Sequence, residues 1–179
     1  KTFDFGGYGG SGSGSGSGSN LQSMLGFAES TSGATYAPAS NLANGLADCS
    51  GSVSDLYEIL TKGEATSARA FTTHNFGTPE GAGALGFLPG FMPGALNVGV
   101  TPYGAGAHMA ATLPNGVNYE GGGRTGTGGQ YGGTSAGAQD PQFSEQYYFP
   151  VPQPKASGGG ISGSGTKDTI PVMATPGEH

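Results

Sequence analysis

Glycine limits what this chain can build, because 38 of its 179 residues are glycine and many of them fall in tracts. Residues 6–19 are nearly all glycine and serine, a composition that predicts a flexible coil. Residues 121–138 and 152–166 are similarly poor in apolar side chains, and the same expectation extends to them. Between Asn20 and Gly122 there remain about a hundred residues, enough for one small α+β domain. Three segments follow: a Gly/Ser-rich linker over residues 1–19, a folded domain over 20–150, and a Pro/Gly-rich linker over 151–179. A first residue of Lys1 and the lack of any terminal cap at His179 suggest an excerpt from a longer protein.

Six Lys and Arg stand against twelve Asp and Glu, giving a net charge of −6 with no basic cluster. That balance argues against nucleic-acid binding through phosphate neutralisation and against a polybasic membrane contact. No apolar run reaches the length of a bilayer span, and no charged-then-apolar leader opens the sequence. No pair of histidines has metal-ligand spacing, so neither a metal nor another cofactor is expected.

Cys49 is the only cysteine, which rules out an internal disulfide and a four-thiolate metal site. It sits in Asp48-Cys49-Ser50-Gly51, ahead of Val53, Leu56, Tyr57 and Leu60 at helical spacing, so the pattern predicts a helix from about Cys49 to Thr61 stopped by Lys62-Gly63. A thiol in the first turn of that helix lies near unpaired backbone N–H groups and the positive end of the macrodipole, both of which favour thiolate. The small residues Ser50, Gly51 and Ser52 suit a tight helix entry and leave room for a substrate. Asp48 is placed to cap the helix. The competing reading is a buried cysteine packed as a small hydrophobe.

Upstream, Leu21, Leu25 and Ala28, with Met24 beside them, predict a short helix capped by Ser19 or Asn20 and ended by Gly33. Tyr36 to Ala47 reads as a loop. Residues 64–90 read as mostly loop, with a turn or two of helix available between Ala65 and Phe71. A strand is expected from Ala95 to Val100. His108–Leu113 and Val117–Glu120, separated by Pro114-Asn115-Gly116, read as a β-hairpin. Alternation sends Met109, Ala111 and Leu113 to the core and His108, Ala110 and Thr112 outward. A three-residue loop pairs Thr112 with Asn118 and Ala110 with Glu120, which puts Asn118 and Glu120 on the face of His108. A two-residue loop sends Glu120 to the other face.

A nucleophilic cysteine needs a nearby base and a third group to orient that base. Cys49, His108 and Glu120, with Asn118 as the alternative third member, meet that requirement. His74 lies on no clear scaffold and His179 is terminal, so both are weaker bases. A solvated strand position is the plain alternative for His108, and a core position is that for Tyr36.

With those residues identified, the stretch from Phe27 to Gly122 resembles the NlpC-type cell-wall peptidases, papain-like cysteine hydrolases of bacterial peptidoglycan. Tyr36 stands thirteen residues before Cys49, as the family's tyrosine does before its nucleophile. Asp48-Cys49-Ser50-Gly51 matches the family's D-C-S-G, and Gly106-Ala107-His108 through Asn115-Gly116 is similar to its histidine strand and turn. Glu120 falls where the family has its third polar residue. The chain departs from the family at Ala37-Pro38-Ala39, where Trp-Gly-Gly is usual, and at Pro93-Gly94-Ala95-Leu96, where Pro-Gly-Asp-Leu is usual.

The resemblance implies a papain-like α+β fold, with the nucleophile at a helix N-terminus packed on a small antiparallel sheet between glycine-rich flanks. It also implies a cysteine endopeptidase acting on peptidoglycan stem peptides, with Tyr36, Asp48 and Ser50 binding substrate. The segment Asp168–Glu178 resembles one near the carboxyl end of tail tape measure proteins of actinobacterial phages. That second resemblance implies phage tail proteins as partners and a virion-tail location, with action in the host cell envelope. A structural tail module that keeps the fold without the activity is the rival from another class, and an acyltransferase or amidase of the same fold is a third reading. The glycine-rich tract after Glu120 reads as plain linker or as a mobile rim over the cleft.

Overall fold

The computed structural model describes residues 16–123 and 128–151. Its centre is helix α2 (Cys49–Lys62), which is buried from Ser50 to Leu60 except at Tyr57. Val53, Leu56, Ile59 and Leu60 form its apolar side, while its polar residues tie down the surrounding loops. Ser54 Oγ accepts from Ala70 N at 2.7 Å, Asp55 Oδ2 from Ala43 N at 2.7 Å, and Glu58 Oε2 from Thr66 N at 2.9 Å. Buried acceptors with such partners offset the cost of leaving water, and burial still pushes the Asp55 carboxyl up to about 7. Gly63 ends the helix in the left-handed region at φ 90, its N–H returning to Ile59 O.

Helix α1 (Gly16–Ser30) packs on α2 through Leu21, Met24 and Ala28, with Leu25 only partly buried. It begins before the expected cap, so Gly16–Ser19 is helical rather than coil. Asn20 spends its side chain on Leu60 O at 3.4 Å, across to α2, instead of capping. Tertiary packing against α2 compensates there for poor local helix propensity.

The loop after α1 carries a two-residue parallel pair, β1 (Thr35–Tyr36) and β2 (Leu46–Ala47), that leads into α2. Residues 65–71 hold no helix, and two short ones follow instead: α3 (Thr73–Phe76), closed by a capping box between Thr72 and Asn75, and α4 (Pro79–Ala84), capped by Thr78. Phe71, Phe76 and Phe87 pack at the core end of this stretch, with ring centroids of Phe71 and Phe76 4.7 Å apart.

Six antiparallel strands form one sheet on the other side of α2, in the order β3-β8-β4-β5-β6-β7. They are β3 (Leu88–Pro89), β4 (Leu96–Thr101), β5 (His108–Thr112), β6 (Asn118–Gly121), β7 (Gly129–Tyr131) and β8 (Glu145–Phe149). The β5–β6 register pairs Ala110 with Glu120 and Thr112 with Asn118, as the three-residue loop requires. Leu113 N donates to Val117 O at 2.8 Å, and Gly116 takes the positive φ of 83 that such a turn needs.

The expectation of linker after Gly122 fails for residues 128–138. Residues 129–131 form an edge strand, and residues 132–144 fold back over the outer face of the hairpin. Ala110 is therefore fully buried beneath Ala136 and Phe143 rather than facing solvent. Gly99 lets the segment approach, since a Cβ there would strike the Phe143 ring and Ala138. The linker expectations for residues 1–15 and 152–179, with the Asp168–Glu178 segment and His179, lie outside the described residues. No described helix is long and apolar enough to cross a membrane.

Candidate active site

Asp48 sets the entry of α2. Its backbone is extended and its Oδ1 accepts from Gly51 N at 2.9 Å, so it caps the helix. The same carboxylate accepts from Ala39 N at 2.8 Å and pairs with Arg69 Nη2 at 2.9 Å. Arg69 also donates to Ser40 O at 2.9 Å and to Ser50 Oγ at 3.2 Å. Asp48 and Ser50, the expected substrate contacts, are thus buried in a network beneath the thiol. Arg69 was not singled out from the sequence; a lone cation in an unassigned loop gives no local signal.

This network presents Cys49, partly buried, at the first turn of α2. His108 opens β5, and Glu120 on β6 holds it, with Nε2 to Oε1 at 2.7 Å. The other oxygen of Glu120 accepts from Ala136 N at 2.8 Å, so both carboxylate oxygens are engaged. With Nε2 committed to Glu120, Nδ1 is the ring nitrogen left for the thiol, and the side chains of Cys49 and His108 interact directly.

Burial alone would raise the Cys49 pKa, but hydrogen bonding with His108 and Thr73 outweighs burial and the charge of Asp48, and lowers it. Burial alone would lower the His108 pKa, but its hydrogen bonds to Cys49 and Glu120 outweigh that and raise it to about 9. Both shifts favour thiolate beside imidazolium over the neutral pair.

Several neighbours escaped the sequence reading. Phe143 stacks on the His108 ring, centroids 5.9 Å apart and planes 23° apart. Thr73 Oγ1 lies 3.5 Å from Cys49 Sγ. Three glycines after Glu120 run tightly through the site: a Cβ at Gly121 would meet Asp48 O at 2.6 Å, one at Gly122 would strike the Tyr36 ring, and one at Gly123 the Glu120 carboxylate. These glycines permit close approach and do not act as linker.

Tyr36 is 42 % exposed, not core, and its ring lies over Gly122 beside Asp48 and Cys49. Burial, followed by the charges of Asp48 and Cys49, raises its phenol pKa. Asn118 does not serve as the third residue. Its Oδ1 accepts from Thr112 Oγ1 at 2.9 Å and its Nδ2 donates to Ser135 O at 3.3 Å, at the turn end of the hairpin. His74 lies edge-on to Tyr103, centroids 4.5 Å apart.

A cavity of about 620 Å³ opens at that turn end, between Phe91, Asn97, Thr112, Asn118, Ser135 and Asp140. Thr112, four residues from His108 along β5, is roughly 13 Å from it, and the side chains of Thr112, Asn97 and Asn118 are already hydrogen-bonded within the protein. Among the described residues no cluster of His, Cys, Asp and Glu could hold a metal ion. No protein-family model, no curated protein and no solved structure matches this chain.

Proposed function

We propose that the chain is a papain-like cysteine peptidase of the NlpC type, cutting an amide bond in the stem peptides of bacterial peptidoglycan. The observation that carries this reading is the convergence of Cys49, His108 and Glu120, with a hydrogen-bonded imidazole beside a thiol at a helix N-terminus. Cys49 Sγ attacks the amide carbon, and the N–H groups of the first turn of α2, that of Cys49 among them, stabilise the oxyanion. The C–N bond breaks as the proton on His108 passes to the leaving amine. Water then attacks the thioester, giving one proton to His108; collapse of the adduct breaks the C–S bond and returns the Cys49 thiolate, and the product acid loses its remaining proton to solvent as it leaves as a carboxylate. Glu120 holds the imidazole and stabilises its charged form.

The sequence resemblance points to the D-glutamyl–diaminopimelate bond, and to a phage tail tape measure protein that opens the host wall during DNA delivery. The test is digestion of purified mycobacterial peptidoglycan by the chain and by Cys49→Ala. Release of new peptide amino groups by the unaltered chain alone is expected. Equal release from both would leave a structural tail module that keeps the fold without the activity, and transfer to an added amine would indicate an acyltransferase.

A further inference from the structure

We propose that Thr73 is a fourth member of the site: its hydroxyl donates to the Cys49 thiolate and holds the sulfur in the rotamer that faces His108. This deepens the cysteine-peptidase reading and rests on it. Thr73 Oγ1 is 3.5 Å from Sγ, within the longer reach of hydrogen bonds to sulfur. Cys49 is its one side-chain partner among the described residues, whereas the preceding Thr72 spends its hydroxyl on the capping box with Asn75.

The segment that carries Thr73 is rigid for reasons unrelated to the thiol. Phe71 and Phe76 anchor its two ends in the core at 2 % and 0 % exposure. Thr72 N donates to Asn75 Oδ1 at 2.6 Å, and Gly77 abuts Pro102, where a Cβ would collide. A threonine here also has restricted χ1 freedom, so the hydroxyl arrives with little entropy left to lose. A hydroxyl has a proton to give and a thiolate has none, so in the charged state the direction of donation is settled. The other side chains acting on the sulfur are His108 and the Asp48 carboxylate, with the Tyr36 phenol near by, and none of them hydrogen-bonds to Thr73.

Because Cys49 is the only thiol, its alkylation by iodoacetamide as a function of pH reads the site directly, without peptidoglycan. Thr73→Val keeps the shape and removes the donor, and it should move the alkylation midpoint up by about one pH unit. Thr73→Ser should restore it, and the thermal midpoint of each variant reports folding. If Thr73→Val does not fold, the comparison passes to Thr73→Ala, with the same expected direction. A midpoint that is unchanged or lowered in a folded variant overturns the role of Thr73. The two readings fail separately: a raised midpoint with no peptidoglycan digestion supports the Thr73 contact and removes the peptidase, and digestion with an unmoved midpoint does the reverse.

Discussion

At the scale of single residues, the His108 imidazole is bounded by Glu120 on one nitrogen, Cys49 beyond the other and Phe143 on a face. A carboxylate in the third position, in place of an amide, gives the imidazolium a counter-charge at 2.7 Å. The reactive pair exists above the pKa of Cys49, which is lowered, and below that of His108, which is raised to about 9. Activity should therefore rise as the thiol ionises and fall as the imidazolium loses its proton. Glu120→Gln removes the charge and keeps only one of the two acceptors that His108 and Ala136 use, so the His108 pKa falls. The alkaline limb of the pH–rate profile should move to lower pH by about one unit while the acid limb rises slightly. Identical profiles for the two proteins would mean that Glu120 contributes shape alone. His108 and Glu120 were legible in the sequence because one hairpin joins them and alternation sets their faces. Phe143 and Arg69 were not, since they reach His108 and Asp48 from loops with no periodic pattern, and neither was Thr73, which opens a four-residue helix too short to show a period.

At the scale of elements, α2 was legible from its cap, its apolar spacing and Gly63, yet its polar residues were not read as buried. They look like a solvent face in sequence and become acceptors only once the 3-10 turn Leu42–Asn44 and the loop 66–70 lie over them. The glycine in Asp48-Cys49-Ser50-Gly51 has a similar origin: a Cβ on Gly51 would run into the Ser40 carbonyl, which Arg69 holds in place. Gly26, on the exposed side of α1, has nothing within 4 Å of its would-be Cβ. The two helical glycines should therefore respond in opposite directions to alanine. Gly26→Ala should stabilise the protein by about 0.5–1 kcal/mol through helix propensity. Gly51→Ala should destabilise it by about 1–3 kcal/mol, as overpacking against backbone does. Denaturant unfolding of both variants checks the signs, and a stabilising Gly51→Ala would show that the first turn of α2 yields easily.

At the scale of the whole molecule, the order β3-β8-β4-β5-β6-β7 places the last described strand inside the sheet, between β3 and β4. The segment 128–151 is thus part of the core, supplying Tyr147 to the aromatic cluster and Ala136 and Phe143 to the hairpin's outer face. A chain ended at Gly123 should lose its cooperative thermal transition and leave Cys49 alkylating with the pH profile of an ordinary thiol. A sharp transition within a few degrees of the full chain's would contradict this. Tyr147-Tyr148-Phe149 is an aromatic run with good strand propensity, and it was the signal available for β8. What the sequence concealed was the fold-back ahead of it, over residues 128–137, because glycine reads alike in a linker and in a site of close backbone approach. By itself, the sequence determined what local spacing encodes: the thiol at a helix entry, the hairpin, its Asn-Gly turn, and the two register choices for Glu120. Tertiary structure alone decided that the glycine-rich tract folds back over the hairpin, that the Asn118 amide donates to Ser135, and that Thr73 meets the sulfur. Those contacts join residues far apart in the chain, and only packing brings them within reach.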